Sequence, residues 1–170
     1  IGIVFKANMF ITFLQMGLAN GVQPIFGYSY GAGDIKRFAD TERFTKLCCV
    51  IVGLAATALY FFLREPIIRL FVNDSEVITC GVQMLIAYML SGPFIGFLFV
   101  NMNCMQSVGR ALPATVLSVL RQGLLLIPLL YLLRLLAGMN GVIYGQSITD
   151  YITIALSCVV WRRIRNGLEN

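Results

Sequence analysis

Long runs without a charged residue constrain this chain more than any other feature. Residues 7–33 lie between Lys6 and Asp34, residues 77–109 between Glu76 and Arg110, and residues 135–161 are broken only by Asp150. A hydrocarbon core is roughly 30 Å thick, so a helix rising about 1.5 Å per residue needs about 20 apolar residues to cross it. Those three runs reach that length outright. Residues 47–63, between Lys46 and Arg64, and residues 111–133, containing the single charge Arg121, come close to it. The pattern predicts an all-α, polytopic membrane helical bundle of about five transmembrane helices, with spans near 7–29, 45–64, 78–101, 113–133 and 141–161. Composition agrees, because 58% of the 170 residues are hydrophobic and 12% are charged. A soluble domain carries roughly a quarter charged residues, and helices this apolar leave it no polar faces to turn outward.

Short loops rich in Lys and Arg stay on the cytoplasmic side. With the C-terminus inside, alternation of the spans puts Lys36, Arg37, Arg43, Lys46, Arg110, Arg121, Arg162, Arg163 and Arg165 on the inner side. Lys6, Arg64, Arg69 and Arg134 fall outside. The excess favours that orientation in a cell membrane, and Trp161 beside Arg162 and Arg163 adds an interfacial anchor. The net charge of +5 is then explained by the membrane surface, without invoking nucleic acid. This orientation leaves the N-terminus outside, so a further span is expected before Ile1. No cleavable leader is visible in the sequence.

Two connectors stand out. The inner one, from Asp34 to Lys46, sets Ile35, Phe38 and Ala39 on one side of a turn and Lys36, Arg37 and Glu42 on others, which predicts a short amphipathic helix at the interface. The outer one, from Arg64 to Glu76, holds Pro66, Asn73, Asp74 and Ser75, with Asp74 or Ser75 placed to cap the next span. Glycines four residues apart at Gly17/Gly21, Gly27/Gly31, Gly92/Gly96 and Gly141/Gly145 point to close helix packing. Pro24, Pro93 and Pro128 sit inside spans, where each removes a backbone donor and tends to kink the helix.

No catalytic constellation is present. The chain has no His, so Ser/His and Cys/His pairs are ruled out, and no glycine loop follows a strand to cradle phosphate. Cys48, Cys49, Cys80, Cys104 and Cys158 lack metal-ligand spacing and read as buried apolar thiols. Neither cofactor nor metal is expected, and the chain does not read as an enzyme.

Polar residues inside the spans line up instead. At about 100° per residue, Asn8, Thr12, Gln15 and Gln23 fall within about 80° on the first span, and Gln146, Asp150, Thr153 and Ser157 within about 60° on the last. Asn101, Asn103 and Gln106 extend the pattern on the third. Such stripes either hydrogen-bond between helices or line a wet cavity. Asp150 is the sharpest residue of the set, since a carboxylate near mid-span costs about 3 kcal/mol unless it faces water, a partner or a bound cation. It is a candidate for proton, cation or substrate binding, or a structural acceptor if an Arg lies beside it. Arg121, the other charge within a span, is expected near the inner end of the fourth, about half a membrane from Asp150.

The run Asn20-Gly21-Val22-Gln23-Pro24-Ile25-Phe26-Gly27-Tyr28-Ser29-Tyr30-Gly31-Ala32-Gly33-Asp34, followed by Ile35-Lys36-Arg37, resembles the MATE (multidrug and toxic compound extrusion) family. Gln106-Ser107-Val108-Gly109-Arg110, Arg121-Gln122 with Ile127-Pro128-Leu129, and Gly141-Val142 leading to Ser147-Ile148-Thr149-Asp150 are similar to later family segments in the same order. The resemblance spans nearly the whole chain and implies helices eight to twelve of a twelve-helix, two-lobe transporter, with a preceding N-terminal lobe. It further implies export of small cationic or aromatic compounds across the bilayer by antiport with protons or sodium ions. An ion-binding acid that some members carry on the tenth helix is missing from residues 77–109, which leaves coupling to the other lobe or to Asp150. A flippase for lipid-linked polysaccharides shares the architecture, and a membrane scaffold or sensor subunit is the rival outside transport. Asp150, Gln146, Thr153, Ser157, Gln15, Gln23, Asn8 and Thr12 are the candidate ion or substrate residues.

Overall fold

A computed structural model describes residues 2–69, 86 and 89–167, with the side chains of 2–8, 10, 60, 63–69, 136–140 and 142 outside the description. The expected outer connector beyond residue 69, its caps Asp74 and Ser75, Cys80 and the opening of the third span lie outside the described residues. So does the side chain of Asn8.

Every element described is helical. Helix α1 covers Gly2–Gly31 and α2 covers Ile35–Arg69. A 3-10 turn at Gly92–Phe94 leads into α3, Ile95–Ser107, followed by α4, Ala111–Val119. A π-helical turn at Leu120–Leu124 and the long α5, Leu126–Asn166, complete the order. One helix among the described residues, Ala111–Leu135, is both long and apolar enough over 18 residues to cross a membrane on those criteria alone.

Two of the turns between helices are built on glycine. Gly33 and Gly109 have φ of 72° and 77°, a left-handed backbone that side-chain-bearing residues adopt at a cost of about 1 kcal/mol or more. Asp34 Oδ1 then accepts from the Arg37 amide at 2.9 Å, capping α2 at its first turn. The cap corrects the separate interfacial helix expected at Asp34–Lys46. Those residues are the first turns of α2, which continues without a break because Phe38, Glu42, Thr45 and Cys49 recur at helical spacing and all are buried. Glu42, expected on a polar side, is thus turned into the bundle.

Although α5 runs as one helical element from Leu126 to Asn166, the chain doubles back inside it. A Cβ on Gly141 would collide with the Leu133 carbonyl, and one on Gly145 with the Leu130 side chain. A straight helix would separate residues eight apart by about 12 Å. The reversal therefore falls between Leu133 and Gly141, and the glycines let the returning arm pass close. Gly96 does the same against Cys49. By contrast a Cβ on Gly17, Gly21, Gly27 or Gly31 would meet nothing within 4 Å, so those pairs make no close crossing within this lobe.

The apolar core sits toward the end of the bundle carrying the glycine turns. Phe26, Phe38, Cys49, Cys104, Met105, Val108, Ala114, Leu117 and Trp161 form one buried cluster. Phe38 packs at a tilt between Phe26 and Trp161, with centroids 5.2 and 5.8 Å away. Cys49 and Cys104 are buried as expected, whereas Cys158 is exposed.

Candidate functional site

The helix breaks position the polar residues. Pro93 has no N–H and its ring crowds the carbonyl four residues earlier, so the third span narrows to a 3-10 turn just before α3. Local helical bonding is disrupted there, and neighbouring helices supply partners. From α1, the fully buried Gln15 donates through Nε2 to the Gly92 carbonyl at 2.9 Å and to the Cys49 carbonyl at 3.4 Å. From α5, Tyr151 Oη donates to the Leu90 carbonyl. Ser91 Oγ donates to Asp150 Oδ2 at 3.2 Å.

A second break faces the first. Leu125 N–H bonds the Leu120 carbonyl at 2.9 Å, an i to i+5 link that inserts one extra residue a turn ahead of Pro128. Arg121 lies in that π turn. Its Nε is 2.9 Å from Asp150 Oδ1, with side-chain exposures of 13% and 1%. Its guanidinium carbon stands 5.6 Å from the Phe99 ring centroid, within cation–π range. Gln146 Nε2 approaches the same carboxylate oxygen at 3.4 Å. The expected half-membrane separation of Arg121 and Asp150 is therefore corrected. Arg121 lies twelve residues before Leu133 and Asp150 nine after Gly141, so the two stand at comparable depth once the chain has reversed.

The remaining predicted residues divide in two. Thr153 and Ser157 are fully buried. Thr153 Oγ1 donates to the Thr149 carbonyl, and Asn101 Nδ2 donates to Ser157 Oγ at 3.1 Å. Below Asp150, the stripe of α5 thus joins α5 to α3 rather than facing open space. Gln23 and Thr12 are half-buried. Gln23 Nε2 donates to Gln106 Oε1 at 3.2 Å in an exposed pair, and Asn103 Nδ2 donates to Asn20 Oδ1 at 3.0 Å beside it. These two pairs form a polar seam between α1 and α3 that is partly open to the surface.

Sequence reading missed Glu42. It is 4% exposed, accepts from Trp161 Nε1 at 2.8 Å, is paired with Lys46, and lies 3.8 Å from Arg165. The signal was its i, i+4 register with Phe38 and its place one turn before Thr45, which puts it on the buried stripe. Among the described residues no group of three His, Cys, Asp or Glu side chains is arranged to hold a metal.

The chain is similar to known proteins along almost its full length. The multidrug export protein MepA of Staphylococcus haemolyticus is 28% identical over 98% of this chain and 36% of its own length. The MepA of Staphylococcus aureus strain MSSA476 is 26% identical over 98% of this chain and 37% of its own length. Among solved structures, the MATE multidrug transporter DinF-BH superposes with a TM-score of 0.86 at 32% identity, covering 99% of this chain and 38% of that one. An outward-facing MATE transporter of the MOP superfamily gives 0.85 at 18% identity and shares the fold. The chain thus spans little more than a third of the relatives it matches. A family model, MatE, matches residues 1–132, and the chain belongs to the MatE family of transporters.

Proposed function

We propose that this chain forms five spans of one lobe of a secondary active efflux transporter that exports small cationic or aromatic compounds from the cell. Export would run by alternating access, two lobes rocking about a central cavity, in exchange for protons or sodium ions, with this chain's C-terminus cytoplasmic. The observation that supports the reading most is the meeting of two broken helices at a buried ion pair. Regular helices have no reason to break together, whereas discontinuous spans suit a lobe that changes shape.

Within that reading the predicted residues take two roles. Gln23 and Thr12, with Asn20 and Gln106 beside them, line the cavity side, and Asn8 is assigned there with them. Gln15, Gln146, Asp150, Thr153 and Ser157 are positioning residues. Both Asp150 oxygens are engaged by Arg121, Gln146 and Ser91, so a cation would have to displace the guanidinium to bind. Coupling therefore rests on acids of the other lobe. Asp150 also neutralises Arg121, so among the described residues this lobe lacks the basic central cavity that a flippase for anionic lipid-linked polysaccharides would call for.

The test is transport by the full-length protein in proteoliposomes. A cationic dye should move against its gradient when a proton or sodium gradient is imposed, and stop when an ionophore collapses it. Gln23→Ala should change the dye preference, and Asp150→Asn should lower the folded fraction while export per folded molecule persists. Dye movement indifferent to both gradients would reject antiport. Loss of export by a fully folded Asp150→Asn protein would return coupling to this lobe.

A further inference from the structure

Beyond the transport reading, and independent of it, the glycine-turn end of the bundle carries a basic cleft. A cavity of about 400 Å³ opens between α2 and the end of α5, lined by Lys46, Cys158, Trp161, Arg162, Arg165 and Asn166. Among the described residues, three cations line it, Lys46, Arg162 and Arg165, and the acid Glu42 lies beside them. That carboxylate already meets Lys46 and Trp161 Nε1 through Oε1 and stands 3.8 Å from Arg165 through Oε2. Arg162, exposed beside this cluster, adds a positive charge that Glu42 does not contact in the described structure.

We infer that this cleft binds the phosphate of an anionic phospholipid headgroup. Two guanidinium groups and an ammonium offer the donor set that a phosphodiester accepts. Trp161, packed against Phe38 with its Nε1 on Glu42, forms a fixed wall of the cleft. Exposed Leu47 and Val159, next in sequence to the lining Lys46 and Cys158, add apolar surface alongside for acyl chains. A basic pocket between spans at the membrane surface is a recognised type of anionic-headgroup site. A zwitterionic headgroup would bring a quaternary ammonium against Arg162 and is disfavoured. A bound lipid here would bridge α2 and α5, the same two helices that Glu42 joins to Trp161.

The full-length transporter, stripped of lipid in mild detergent, is titrated with dioleoylphosphatidylglycerol and with dioleoylphosphatidylcholine, and retained lipid is counted by native mass spectrometry. Phosphatidylglycerol should be retained preferentially. Arg162→Gln should weaken it about fivefold, in line with one basic residue at a membrane surface, and Arg162→Lys should restore most of the loss. Arg162 is exposed, so both variants should melt with the lipid-free wild type, and a salt titration of the wild-type protein gives the same answer without mutation. Equal retention of both lipids, or retention unaltered by Arg162→Gln and by salt, overturns the proposal. Competition by inorganic phosphate at the concentrations that suffice for the lipid would make the cleft a free-anion site and overturn the lipid assignment.

Discussion

Replacing Asp150 by Asn removes one charge from a pair whose atoms are 2.9 Å apart and nearly excluded from solvent. The Ser91 Oγ contact can persist, because Asn keeps an acceptor at that place. Arg121 would then stand over Phe99 with no counter-charge. Breaking a buried pair from one side costs about 3 kcal/mol or more, far above the roughly 0.6 kcal/mol of an average polar contact between membrane helices. Arg121→Gln should cost a similar amount by stranding the carboxylate. The double variant leaves no unpaired charge, so it should fall short of the sum of the singles by about 2 kcal/mol. Equilibrium unfolding of the full-length protein in mixed micelles measures all four corners of the cycle. Additive single losses near 0.6 kcal/mol each would show that the pair is not energetically coupled and would refute the reasoning.

Other consequences follow from the packing. Gln15→Leu should destabilise by about 2 kcal/mol in the same unfolding assay, since it strands the Gly92 carbonyl in the interior; an unchanged midpoint would mean that another donor replaces it. Gly96→Val, driven against Cys49, should cost about 2 kcal/mol by overpacking, whereas Gly17→Ala should stay within about 0.5 kcal/mol. Cysteines introduced at Arg43 and Asn73 should react with an impermeant reagent from the cytoplasmic and outer sides respectively, and the reverse pattern would invert the proposed orientation.

Several features were legible in the sequence because they depend on neighbours along the chain. The uncharged runs dictate helices, since backbone groups in hydrocarbon must be satisfied within their own segment. Gly33 and Gly109 mark the turns, and Pro93 and Pro128 mark the breaks, because the backbone limits of glycine and proline are local. The stripe of Gln146, Asp150, Thr153 and Ser157 is likewise fixed by the helical period.

What those polar residues touch was decided by tertiary structure. Periodicity places residues on a face but is silent about what lies opposite, so one stripe reads equally as cavity wall or as helix contact. The reversal between Leu133 and Gly141 brings Asp150 level with Arg121 across 29 residues of sequence, and this turns a candidate ion carrier into half of an ion pair. Glu42 shows the same limit from the other side. Its charge argued for solvent; Lys46 one turn on supplies a local counter-charge, while Trp161, 119 residues away, and Arg165 beyond it close the site from the far end of the chain. Local sequence carries the geometry of each helix, while the partners that complete the surroundings of a buried charge come from a distant helix, and only the folded bundle brings them together.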